Sequence, residues 1–226
     1  MKGYDKTVND GIVFDMDCCE GAGNPNDSAR PHHPLTMSGS PSWSSLANGT
    51  GYLDFNSGHP DYVQCTNALS ADLDFTSGSF STALWFNIDS IAANTMLMSR
   101  GNNLAVFDGW YYYTYTDGRI YFNTMQAGVA QWSNSTPIVI STWYLFITVR
   151  VGASIRLYIN GIDKTEVAGT HINPATSSQK FHIGIAANDV SLPFDGKIAS
   201  ARIWNRALSA AEIYYLFQRE RYYYGI

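Results

Sequence analysis

The sequence is short of charge. Asp, Glu, Lys and Arg make up 15% of its 226 residues, where about a quarter is usual for a soluble domain. Only four of the acids are glutamates, Glu20, Glu166, Glu212 and Glu220, and they form no alternating acidic strand. The pair of carboxylates that glycoside hydrolysis needs as acid and as nucleophile or base is therefore not expected on a strand. Bases are scarcer still, 14 Lys and Arg against 19 Asp and Glu, a net charge of −5. A surface of that sign does not neutralise nucleic-acid phosphates. The three cysteines, Cys18, Cys19 and Cys65, fall in no Cys-x-x-Cys or zinc spacing and read as reduced and incidental. No apolar run reaches the ~20 residues that span a bilayer; the longest, Ile138 to Val151, is broken by Ser141, Thr142, Thr148 and Arg150, so membrane insertion is not expected. The opening residues lack the apolar stretch of a signal peptide. Gly-x-Ser-x-Gly, Gly-x-x-x-x-Gly-Lys and His-Glu-x-x-His are all missing, which leaves no signal for acyl, phosphoryl or zinc-hydrolase chemistry.

Aromatic residues are plentiful: six Trp, fifteen Tyr and eleven Phe, well beyond what disordered chains carry. Turn dipeptides recur at short intervals, Asn48-Gly49, Ser57-Gly58, Ser77-Gly78, Asp117-Gly118, Asn160-Gly161 and Asp195-Gly196, with β-rich runs between them. That spacing predicts an all-β sandwich or barrel. Ile155, Leu157 and Ile159 alternate with Arg156 and Tyr158 before Asn160-Gly161, a hairpin with one buried face. A second hairpin joins Trp110–Thr116 to Arg119–Met125 through Asp117-Gly118. Further strands are predicted at 51–55, 62–65, 80–88, 95–99, 143–151, 181–185 and 197–204. Residues 20–48 read as a long wrapping loop. One helix is expected from Ser209 to about Arg219, opened by a Ser209/Glu212 capping box and striped by Ile213, Leu216 and Phe217. With no repeat or composition shift, residues 1–226 read as one domain.

The segment from Phe194 to Ile213, FDGKIASARIWNRALSAAEI, resembles the C-terminal signature of laminin-G-like domains of the concanavalin A superfamily. Trp143 to Arg150 with Arg156 to Gly161 resembles the paired central strands of that family, and Phe80 to Asp89 its earlier Trp-bearing strand. Val13 to Asp15, Asp27-Ser28, Gly51 to Asn56 and Asp61 to Val63 resemble its opening, so the likeness covers nearly the whole chain. It implies an all-β jelly roll of two packed antiparallel sheets with one short C-terminal helix. It also implies a choice among lectins, carbohydrate-binding modules, adhesion domains and glucanases, which fold alone does not make. Many relatives hold calcium at a sandwich edge. Asp27 is the implied ligand here, with Asp15 and Asp195 as further donors, although Ala199 and Ser200 stand where relatives carry acids. His32 and His33 near Asp27 read as solvated loop residues rather than metal ligands.

Sugar recognition calls for rings that stack on a pyranose, with Asn and Asp bonding its hydroxyls. The run from Phe107 to Tyr115 is the densest aromatic cluster, and Gln131 to Asn134 offers a second. The candidate ligand-binding residues are Asp108, Trp110, Tyr112, Trp132 and Asn134. Along the first strand Trp110, Tyr112 and Thr114 share one face and Tyr111, Tyr113 and Tyr115 the other. Trp85, Trp143 and Trp204 are assigned to the core. The sequons at Asn26, Asn48 and Asn134 read as turns. The tyrosines after Glu220 either pack on the sandwich or form a homo-oligomer contact. The expectation is a non-catalytic module that binds a glycan or a protein surface, without nucleic acid, in the setting of a phage virion. A structural decoration protein and a glycoside hydrolase are the alternatives.

Overall fold

Period-two alternation runs through most of the chain, and in the computed structural model, which describes residues 6–102 and 108–226, these runs become strands. In chain order they are β1 (Ile12–Asp17), β2 (Thr36–Ser38), β3 (Ser42–Ser45), β4 (Gly51–Phe55), β5 (Tyr62–Cys65), β6 (Phe80–Ile88), β7 (Thr95–Asn102) and β8 (Asp108–Thr114). There follow β9 (Ile120–Gln126), β10 (Val129–Ser135), β11 (Trp143–Val151), β12 (Ser154–Ile159), β13 (Ile162–Asp163), β14 (Thr165–Val167), β15 (Phe181–Ile183) and β16 (Gly196–Trp204). Helices α1 (Lys6–Asn9) and α2 (Ala210–Glu220) stand at the two ends.

The strands form two antiparallel sheets. The first runs β13-β12-β11-β6-β16-β4-β3, and β1 joins the far half of β16 beyond a bulge between Ile198 and Ser200. The second runs β14-β10-β9-β8-β7-β15-β5-β2. Phe14, Leu53, Phe80, Phe86 and Phe146 of the first sheet meet Trp110, Tyr112, Phe122, Phe181 and Ile183 of the second in one buried core. The Ile155–Ile159 alternation is realised with Ile155, Leu157 and Ile159 inside, and Asn160 and Gly161 take the positive φ values that the turn requires. The segment 20–48 is not all loop. It contributes β2 and β3, one to each sheet, and Asp27 makes an isolated bridge to Met16. Such short edge strands have little periodicity to reveal them.

Helix α2 begins with the expected capping box: Glu212 N–H donates to Ser209 Oγ, and Ser209 N–H to the Glu212 carboxylate. Its Ile213, Leu216 and Phe217 cover the outer face of the first sheet, burying Trp85, Trp143 and Trp204 in a second core. These three tryptophans are buried, but beneath the helix rather than between the sheets. Tyr224 follows the helix down and stacks on Trp85 at 3.9 Å between ring centres, so the end of the tyrosine tail packs on the sandwich.

Candidate functional site

With α2 closing one outside face, the open face of the sandwich is the outer side of the second sheet. Parity decides which side chains reach it. Tyr112 lies opposite Phe122 and Tyr113 opposite Tyr121, so Trp110 and Tyr112 share the inner face with Ile120 and Phe122. Both are fully buried. Trp110 Nε1 donates to Leu73 O at 2.8 Å, and the Tyr112 hydroxyl donates to Met98 Sδ at 3.4 Å. Neither can stack on a ligand, which corrects the assignment of both as ligand-binding residues.

Asp108 and Asn134 are also buried, at 4% exposure each. Asp108 accepts from the Ser177 hydroxyl at 3.0 Å and from Ser178 N–H at 3.2 Å, fastening the segment that precedes β15. Asn134 lies in β10, not in a turn, and accepts from Val167 N–H at 3.0 Å. These residues hold the scaffold together rather than meeting a ligand. Replacing Asp108 by alanine is expected to cost about 1–2 kcal/mol, because it leaves buried donors unpaired. Urea unfolding measures the loss, and retention of the variant on a glycan column should match that of the native chain. Phe107 lies outside the described residues.

Trp132, by contrast, is 45% exposed. It ends a continuous strip of rings on the outer face. Tyr111 lies 5.9 Å from Tyr113, Tyr113 5.7 Å from Tyr121, and Tyr121 5.4 Å from Trp132, with Tyr115 (41% exposed) 5.6 Å from Tyr121. The sequence contained a signal for this strip: one face of the β8 run is all tyrosine, and a phenol places its body on apolar surface and its hydroxyl in water. Burial pushes the Tyr113 phenol up to about 12, with Tyr121, Tyr115 and Asp117 adding to the rise, so it remains a neutral hydroxyl.

Polar groups complete the face. Asn123 lies directly across from Trp132 on one side and Tyr111 on the other, and the register continues through Ser99 and His182 to Gln64. This single transverse row holds three buried polar atoms without a hydrogen-bond partner: Asn123 Nδ2, His182 Nδ1 and Gln64 Oε1. Buried orphans are rare in folded proteins and call for an explanation. The middle of the row lies under the segment after β15, whose Ala186 and Leu192 pack on Met96, Tyr111 and Met125. Asp189 holds that segment by accepting from Lys180 Nζ and His182 Nε2, each at 2.7 Å. The aromatic half remains open.

Residues 56–214 match a laminin-G family model described as the concanavalin A-like lectin/glucanases superfamily. The chain belongs to this superfamily. No sequence match was found among curated proteins. Similar solved structures include botulinum neurotoxin type C, which interacts with two ganglioside molecules, at 14% identity and a TM-score of 0.70 over 94% of this chain and 52% of that one. Another is the binding domain of botulinum neurotoxin DC in complex with rat synaptotagmin II, with 14% identity, a TM-score of 0.70, and 93% and 52% of the two chains covered. A third is domain 4 of an extracellular GH43 arabinanase from Geobacillus stearothermophilus in complex with arabinotriose, with 16% identity, a TM-score of 0.68, and 92% and 98% covered. The chain thus spans about half of the neurotoxin chains and nearly all of the arabinanase domain.

Asp27 does not fit the calcium ion that likeness to the superfamily implies. Its Oδ1 accepts from Asp15 N–H at 2.8 Å and Ala29 N–H at 2.9 Å; its Oδ2 accepts from His33 N–H at 3.0 Å and faces His33 Nδ1 at 2.5 Å. A carboxylate so saturated, beside a cationic imidazole, has no lone pair free for a metal. Asp15 is likewise engaged, by Arg202 and Ser28. Among the described residues no group of three or more His, Cys, Asp or Glu side chains is placed to hold an ion.

Within this superfamily fold a cleft of about 380 Å³ is bordered by four acids, Asp54, Asp61, Asp89 and Asp195. Asp61 caps the Ser40 and Asn56 amides, and Asp89 pairs with Lys197 at 2.6 Å. These two carboxylates serve loop geometry and charge balance.

Proposed function

We infer that this chain is a non-catalytic carbohydrate-binding module whose ligand lies on the aromatic half of the second sheet. The observation that carries the reading is the ring strip ending at Trp132, on the face that α2 leaves open, with the orphaned Asn123 amide beside it. An indole with nearly half its surface in water suits the apolar face of a sugar ring, and the exposed phenol of Tyr115 suits a hydroxyl. Likeness to an arabinanase domain crystallised with arabinotriose, and to neurotoxin binding domains that meet gangliosides or a protein, supports a binding role. A protein surface is the alternative partner. The virion setting draws support only from a charge-poor exterior rich in Ser, Thr and Asn, and detection of the protein in purified particles tests it.

A glycan array tests the main reading. Trp132→Ala is expected to weaken binding at least ~10-fold, about 1.4 kcal/mol, with an unchanged melting temperature because the ring is on the surface. Excess chelator should leave binding intact, and no reducing ends should appear on incubation with the bound polysaccharide. If Trp132→Ala binds as well as the native chain, the site is elsewhere.

A further inference from the structure

We propose that the aromatic strip selects uncharged glycan chains and rejects uronates and other anionic sugars, because the cation at its edge is clamped. This rests on reading the strip as a glycan site. Arg119 lies in the turn between β8 and β9, where its carbonyl accepts from Tyr115 N–H at 2.8 Å. A free arginine there would be the natural receptor for a carboxylate, since its planar fork matches two acceptor oxygens. That fork is taken. Nε donates to Glu166 Oε2 at 3.0 Å and Nη2 to Glu166 Oε1 at 2.8 Å, while Nη1 donates to Asp117 Oδ2 at 3.3 Å.

The clamp is joined to the strip on both sides. Asp117 Oδ2 also accepts from the Tyr121 hydroxyl at 3.3 Å. Glu166 comes from β14, the strand paired with the one that carries Trp132. Two carboxylates against one guanidinium leave the clamp itself with one surplus negative charge. Arg119 holds the Glu166 carboxyl below its usual range through their hydrogen bonds, so Glu166 stays ionised at neutral pH. Where the row is covered, Lys180 is likewise paired, with Asp189 at 2.7 Å. An anionic sugar on the strip finds the Arg119 fork already taken, in a protein of net charge −5. The hydroxyls of a neutral chain meet uncharged phenols.

The test is a glycan array carrying each chain both in neutral form and with its primary alcohols oxidised to uronates, probed with the native protein and three variants. The native protein should bind the neutral member of each pair at least ~10-fold tighter, with a gap that narrows as salt screens the charges. Asp117→Asn combined with Glu166→Gln frees Arg119 and should shrink or reverse that ratio by ~10-fold. Arg119→Gln, which leaves both carboxylates, should widen it and provides a readout if the double variant folds poorly. Trp132→Ala should weaken both members equally. Equal or tighter binding of the uronate form by the native protein, or a ratio that neither clamp variant moves, overturns the proposal while Trp132-dependent binding keeps the glycan reading. If no glycan binds at all, both fall.

Discussion

Replacing Glu220 by alanine is expected to lower the unfolding free energy by about 3–5 kcal/mol, the usual cost of stranding a buried charge. Glu220 is 1% exposed at the end of α2. Its oxygens accept from Arg202 Nη1 at 2.9 and 3.0 Å, from Arg219 Nη2 at 3.0 Å and from Trp85 Nε1 at 2.8 Å. Removing the carboxylate takes the largest opposing charge from Arg202, which keeps Asp15 at 3.2 Å and the field of Asp17, and leaves the Trp85 N–H without an acceptor. The helix end would then loosen where Tyr224 stacks on Trp85, exposing the tryptophan-rich face that α2 covers. Urea unfolding followed by tryptophan fluorescence reads the change. Glu220→Gln, which keeps an acceptor for Trp85 but not the charge, should fall between the two. In the Arg202→Met background Glu220→Ala should cost much less than alone, because the stranded cation is gone. A loss below ~1 kcal/mol in the single variant would mean that apolar packing alone holds the helix.

Several elements were legible because one rule decided them. Strands β4, β5, β6 and β11 begin and end where the β-branched and aromatic runs do. The Ser209/Glu212 box marks the start of α2, and Asn160-Gly161 fixes its hairpin. The binding face was less legible because β8 is aromatic on both sides. Trp110 and Tyr112 looked as fit for a sugar as Tyr113, and only the register that sets Tyr112 against Phe122 and Thr114 against Ile120 tells core from surface. Working outward from a two-residue Asp117-Gly118 turn would have set Tyr112 against Asn123, one residue out of register, because the turn also takes in Thr116 and Tyr115 N–H donates to Arg119 O. Asp27 was misread for a different reason. A carboxylate in a Gly/Pro-rich loop suits a cation equally whether it is a metal or an imidazolium, and sequence spacing does not reveal the His33 side chain folding back on it.

That ion pair gives the second large effect, a loss of stability of about 2 kcal/mol between pH 6.5 and 8.5. His33 is buried between Asp27, at 2.5 Å from Nδ1, and Asp72, at 3.1 Å from Nε2. Burial alone would lower its pKa, but hydrogen bonds to the two carboxylates outweigh it and raise the value to about 9. A cation favoured by the folded state contributes fully below the unfolded pKa of 6.5 and is lost as pH rises through about 9. Asp27, held below its usual range by His33 and three backbone amides against the opposing cost of burial, acts at the other end: its contribution disappears as pH falls below about 4. His171, lowered by burial to about 4, and His182, lowered for the same reason, are favoured neutral. Their contributions are complete above pH 6.5 and diminish only below it. The buried thiols of Cys18 and Cys65, raised by burial, take effect above about pH 9. The interval from 6.5 to 8.5 therefore isolates His33. Urea midpoints across it should fall steadily for the native chain and stay flat for His33→Gln, which is less stable throughout. An equal slope in both proteins would place the proton elsewhere.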